Sequence, residues 1–123
     1  MEVSSSMALT VESVRLALGA STLRHSLIAD NIANANTPGH VRMKVVFEEH
    51  LSQALAQAAA SGDVGALADA SAEVRPAASR GTKVSLDQEM VDLSSNAVRY
   101  QALTRGLSRY FSIASAIASG SRS

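Results

Sequence analysis

The stretch Ile-Ala-Asn-Ala-Asn-Thr-Pro-Gly-His, residues 32–40, decides how this chain folds, because it ends a long helix at a defined place and in a defined direction. An apolar-periodic run reaches Ile32 and Ala35, passes asparagines at Asn31, Asn34 and Asn36, and meets Thr37-Pro38-Gly39. Pro38 fixes its own φ and drives Thr37 out of the helical region, so the helix closes by Asn36. Pro38 and Gly39 then suit the two central positions of a type II turn, with Gly39 at positive φ. Asn36 suits the left-handed position that closes a helix, and Asn31 and Asn34 place amides near its last open carbonyls. Spacing alone reads equally well as a well-made helix stop and as something more specific.

Working upstream, Val11, Val14, Leu18, Ser21, His25, Ile28, Ile32 and Ala35 alternate steps of three and four, the seam of a helix over 8–36. Downstream, Met90, Leu93, Ala97, Tyr100, Thr104, Leu107, Phe111, Ala114 and Ala118 repeat the pattern over 85–118, with Ser85 and Gln88 as a capping box. Asp87, Glu89 and Asp92 near its start and Arg99, Arg105 and Arg109 further on suit its macrodipole. At 1.5 Å per residue the two helices are on the order of 40 and 50 Å long, too long for a compact domain of this size. Leu9, Leu16 and Leu23 lie opposite the first seam, and Leu103, Tyr110 and Ile117 flank the second. A two-helix hairpin buries one face of each helix, so these extra residues are expected to face other chains.

Between the helices, 37–44 reads as turn and exit, 45–60 as a possible short helix, and 61–84 as a flexible Ala/Gly/Ser-rich linker broken by Gly62, Gly65, Pro76 and Gly81. The expected fold is one mainly α unit over 1–123, with long N- and C-terminal heptad helices forming an elongated coiled-coil-like hairpin. Its assembly seam comprises Val14, Leu18, His25, Ile28 and Ile32 on the first helix. On the second it comprises Met90, Leu93, Asn96, Tyr100, Leu107 and Phe111. His25 beside Ser21 reads as a polar seam residue that sets register. Asn96 reads either as an exposed amide or as one side of an interchain hydrogen bond.

Composition excludes several functions. Apolar residues make up 46% of the chain, but aromatics only 3%, with no tryptophan, so bulky core side chains are scarce and a compact monomer would be marginal. Eleven basic and eleven acidic residues give zero formal net charge, which leaves no basic field to hold a nucleic acid. The absence of cysteine excludes disulfides and thiolate metal sites. The opening "MEVSSSMALTVESVRLALG" has no positive n-region and no uninterrupted apolar span, so neither a cleaved signal nor a membrane span is expected. His25, His40 and His50 lack metal-ligand spacing, and neither a nucleophile elbow nor a Gly-rich phosphate loop occurs. The reading is a protein that is not an enzyme and carries no cofactor.

"NIANANTPGH" (31–40) resembles the Asn-Ile-Ala-Asn-x-x-Thr-Pro-Gly-Tyr signature near the N-terminus of the bacterial flagellar axial proteins, the rod, hook and hook-associated family. The matching positions are Asn31, Ile32, Ala33, Asn34, Thr37, Pro38 and Gly39, with Asn36 inside the motif. Phe47 and Leu51 follow in order, then "VSLDQEMVDLSSNAVRYQALTRGL", similar to the family's C-terminal helix, then "AIASG". His40 stands where the family usually has Tyr, and Val41 where Lys or Arg is frequent. The short segment between the helices resembles the proximal rod members rather than distal rod or hook proteins, which carry a large domain there.

The resemblance implies a structural subunit of the proximal rod in the flagellar basal body, exported into the periplasmic rod by the type III apparatus without a cleaved signal. Its implied partners are itself, other rod proteins, the inner-membrane ring and rod-adaptor components, and the export apparatus. A reading from another class is a soluble helical-hairpin adaptor or secretion chaperone, which the heptads and neutral charge also fit.

Overall fold

The computed structural model describes residues 2–62, 76–79 and 83–120. Helix α1 (Glu2–Ala33) is followed by strand β1 (Met43–Val45), helix α2 (Glu48–Ser61), strand β2 (Pro76–Ala78) and helix α3 (Leu86–Gly120). With 32 and 35 residues, α1 and α3 are about 48 and 52 Å long, and α1 begins at Glu2, six residues before the expected start at 8. They run antiparallel: Ile28 shares a cleft with Asp92 and Ser95, His25 one with Ala97, and Ala17 one with Leu103.

Helix α1 ends three residues before Asn36. Asn34 donates from its backbone N–H and its side-chain Nδ2 to the Asp30 carbonyl, and the chain then tightens through i→i−3 bonds from Ala35 to Ile32 and from Thr37 to Asn34. Asn36 does not take the left-handed position expected of it, because these short bonds already close the helix; among the described residues only Gly39 and Gly62 have positive φ. The turn at Thr37–His40 forms as its residues dictate: the His40 N–H donates to the Thr37 carbonyl at 3.2 Å, and Gly39 has φ 80°.

A Cβ added at Gly39 would meet nothing within 4 Å, so a substitution there acts through backbone strain alone. Gly39→Val is expected to cost about 1–3 kcal/mol, and Gly39→Asn much less, since asparagine tolerates positive φ. Urea unfolding followed by circular dichroism checks the ranking, and equal midpoints for the two variants would contradict it.

The segment after the turn is more structured than its composition suggests. β1 pairs antiparallel with β2 in the register Met43↔Ala78, Lys44↔Ala77 and Val45↔Pro76, extended by Ser79 N–H to the Arg42 carbonyl. Residues 76–79, within the span read as a linker, are therefore a strand and its flank. Residues 63–75 and 80–82 of that span lie outside the described residues. Helix α2 begins at Glu48 rather than 45, because Met43–Val45 is extended, and closes on Gly62 at φ 71°, whose N–H donates to the Ala58 carbonyl. At the start of α3, Ser85 accepts the Gln88 N–H, but Gln88 turns its amide to Asp92, so half of the capping box forms.

The core overturns one expectation. Leu16 and Ala20 of α1 are buried with Val45, Phe47 and Ala54, and Leu9, Leu23 and Leu27 pack around them with Leu51 and Leu55. The leucine stripe assigned to other chains is thus covered from within, by α2 and the ribbon. An amphipathic segment tethered next to an apolar stripe meets it at a far higher local concentration than a separate chain does.

Candidate functional site

Asn31 is the centre of the corner between α1 and β1. It is completely buried, and its amide treats β1 as a neighbouring strand would: Nδ2 donates to the Met43 carbonyl at 2.8 Å, and Oδ1 accepts the Met43 N–H at 3.1 Å. These two bonds fix the orientation of the amide, so the His40 ring nitrogen 3.2 Å from Oδ1 is an Nε2–H donor. His40, one of the two departures from the family signature, therefore helps to hold Asn31. Asn34 stays with its own helix, donating to the Asp30 carboxylate and accepting from Thr37 Oγ1. Of the two asparagines expected at the open carbonyls, Asn34 is there and Asn31 is not.

A second polar cluster locks the corner to α3. Arg42 donates through Nε to Glu89, through a terminal nitrogen to Ser79 Oγ at 3.3 Å, and reaches Asp92 at 3.5 Å. One guanidinium so ties β1, β2 and the first turns of α3 together, using the fork of donors that lysine lacks. Glu89 is completely buried, and its Oε2 has no hydrogen-bond partner among the described residues. In sequence Glu89 reads only as a carboxylate suited to the helix dipole, and Arg42 does not stand out. The available signal was a carboxylate four residues before Leu93, one step off an apolar seam.

Midway along the helices, Ser21 Oγ donates to Asn96 Oδ1 at 3.0 Å and Asn96 Nδ2 donates to the Ser21 carbonyl at 2.8 Å. Both residues are buried, so Asn96 is neither an exposed amide nor an interchain bond; it fixes the register of α1 on α3 within one chain. Such a pair tolerates no slip along the helices, since either group left alone would be buried without a partner.

The remaining seam positions divide. Ile28 is buried, and Val14, Leu18, Ile32, Leu93 and Leu107 are half-buried. His25 is exposed at the edge of a cleft of about 370 Å³ that also includes Tyr100. Met90, Tyr100 and Phe111 are exposed. The side of α3 buried or half-buried in this chain instead runs through Glu89, Leu93, Asn96, Leu103, Thr104, Leu107, Tyr110 and Ala114. It shares Leu93, Thr104, Leu107 and Ala114 with the heptad read from sequence and is rotated off it elsewhere, because the polar anchors Glu89 and Asn96 set the helix's rotation. Ile117, at 68%, is among the most exposed large apolar residues of α3.

Apart from Glu89 Oε2, the buried polar groups of this arrangement bind each other and the backbone. Among the described residues no cluster of three or more histidine, aspartate or glutamate side chains could hold a metal ion, and no helix is long and apolar enough to cross a membrane. Glu12 is held below the usual carboxylate range by its hydrogen bond to Arg15, an exposed pair on the far side of α1 that takes no part in the corner.

No family model matches the chain. It is 27% identical over 128 aligned positions to the flagellar basal body rod protein FlgB of Bacillus subtilis (strain 168), an alignment covering 92% of this chain and 95% of the relative. It is 31% identical over 114 positions to the flagellar basal body rod protein FlgB of Borrelia hermsii, covering 73% of this chain and 81% of the relative.

Proposed function

Since the chain belongs to the FlgB family of flagellar basal body rod proteins, we propose that it is a structural subunit of the basal-body rod, in its proximal part. Many copies of the α1–α3 pair pack around an axis into a shaft that transmits torque. The observation that carries this reading is the amount of large apolar surface α3 leaves uncovered: Met90, Val91, Val98, Ile113 and Ile117 are each more than half exposed. Apolar exposure on that scale along one helix marks a protein-contact surface. The corner at residues 31–45 supports the same reading, because its interlocked turn holds the ribbon and α2 at a set angle to the helices, as a repeating packing unit requires.

The finer assignments follow from this role. The partners are further copies, other rod proteins, the inner-membrane ring with its rod adaptor, and the type III export apparatus. The site of action is the periplasmic rod, reached without a cleaved signal, and the role is mechanical rather than catalytic. The adaptor or chaperone alternative is not favoured, since both relatives are rod proteins along most of this chain.

The test is an in-frame deletion of the gene, with flagella imaged and the strain complemented. The deletion is expected to abolish external filaments, and wild type to restore them. Leu107→Asp is expected to fail, because a charge on the half-buried face toward α1 costs roughly 3 kcal/mol. Intact, rotating flagella in the deletion strain would refute the rod role, whereas normal swimming with the variant would refute only the placement of Leu107 in the packed face.

A further inference from the structure

The side of α3 turned away from α1 carries a charge pattern that the other described residues leave unmatched. Asp87, Val91, Val98, Arg105, Arg109 and Ile113 follow at spacings of four and seven residues. At 3.6 residues per turn they share a stripe about 80° wide, opposite the face of Glu89, Asn96 and Leu107. Val91, Val98 and Ile113 are 58%, 67% and 56% exposed, and the charged residues are exposed too. Asp87, Arg105 and Arg109 have no ion-pair partner among the described residues. Ser94, Ser95, Ala102 and Ser112 along the same side are small enough for another helix to approach closely.

Resting on the rod reading, we propose that this stripe is the contact between neighbouring copies of the chain, packed parallel and staggered so that Asp87 of one copy lies beside Arg105 and Arg109 of the next. Arg105 and Arg109 follow Asp87 by 18 and 22 residues, so the stagger is about 27–33 Å along the helix axis. The same shift brings Val91 and Val98 of the neighbour alongside Ile113 and Ile117, covering apolar surface that a single chain exposes.

An antiparallel pair would also match the charges, but it would place Ile113 and Ile117 beyond the start of the partner's helix at Leu86, leaving them exposed. It would also close on itself as a dimer. The staggered contact is heterologous, with acid on one end meeting base on the other, and such a contact propagates into an open array. Zero formal net charge means that adding copies builds up no repulsion. The charged pairs select the register and the apolar residues supply the adhesion.

The absence of cysteine makes the test direct. Cells whose only copy carries Asp87→Cys with Arg105→Cys are oxidised and the protein is resolved on non-reducing gels. The staggered contact gives a ladder of dimers and higher multimers, and either single-cysteine variant gives monomer only. A dimer band without a ladder, or no cross-link in cells that bear flagella, would overturn the proposal. Charge reversal supplies an independent measurement should the cysteine pair block assembly. Asp87→Arg is expected to lower the fraction of flagellated cells at least tenfold, and adding Arg105→Asp and Arg109→Asp to restore most of it. Unchanged flagellation with the single reversal would equally overturn the proposed contact. Failure of the rod reading shows separately, as intact flagella in the deletion strain.

Discussion

Asn31→Ala is expected to lower the unfolding free energy by about 2–4 kcal/mol. The side chain is completely buried and serves both the N–H and the carbonyl of Met43, so its removal strands two backbone groups away from water. Each stranded group costs about 1–3 kcal/mol. Asn31→Asp is expected to be no better, because it keeps the acceptor, loses the donor and buries a charge. Asn34→Ala serves as the contrast. Its bonds to Asp30 and Thr37 lie at the solvent side of the helix end, so the expected loss is about 1 kcal/mol or less. Urea titrations followed by circular dichroism at 222 nm report both. Equal losses for the two variants would show that Asn31 acts as a helix cap rather than as the clamp on β1.

The other large effect is an asymmetry across one ion pair. Arg42→Ala is expected to cost about 3–5 kcal/mol, because it leaves the Glu89 carboxylate buried without its cation. Glu89→Ala is expected to cost less, since the stranded guanidinium is 19% exposed and keeps Asp92 within 3.5 Å. Removing both residues is expected to cost clearly less than the sum of the two single losses, since the buried charge goes with its partner. The same urea titrations measure all three variants. Glu89→Ala as damaging as Arg42→Ala, or strictly additive losses, would mean that the two groups do not depend on each other.

These two clusters mark where sequence reasoning reached and where it stopped. The turn at 37–40 was legible because its constraints are local: Pro38 restricts Thr37, and positive φ at the position of Gly39 favours glycine whatever surrounds it. Helix α3 was legible from its heptad and from Ser85. Asn31 was visible as unusual but was given the wrong acceptor. Its side chain can serve the end of its own helix or a strand twelve residues on, and periodicity does not distinguish them. The ribbon was hidden for a related reason. Pro76-Ala77-Ala78 has no strand propensity of its own and is extended because it pairs with Met43–Val45.

The two long helices, the place where the first one stops, and the likeness to flagellar axial proteins are legible without coordinates, since all rest on spacings within a few turns of chain. Which side of each helix is buried depends on contacts distant in sequence. Helix α1 carries apolar residues on two sides, and a period of three and four cannot rank two stripes on one helix. Once β1 and α2 folded back, they covered the Leu9–Leu16–Leu23 side, while Asn96 with Ser21 and Glu89 with Arg42 set the rotation of α3. A buried polar group needs a partner at hydrogen-bond distance, whereas an apolar side chain accepts any dry neighbour. Four polar residues therefore settled an orientation that the many apolar ones left open.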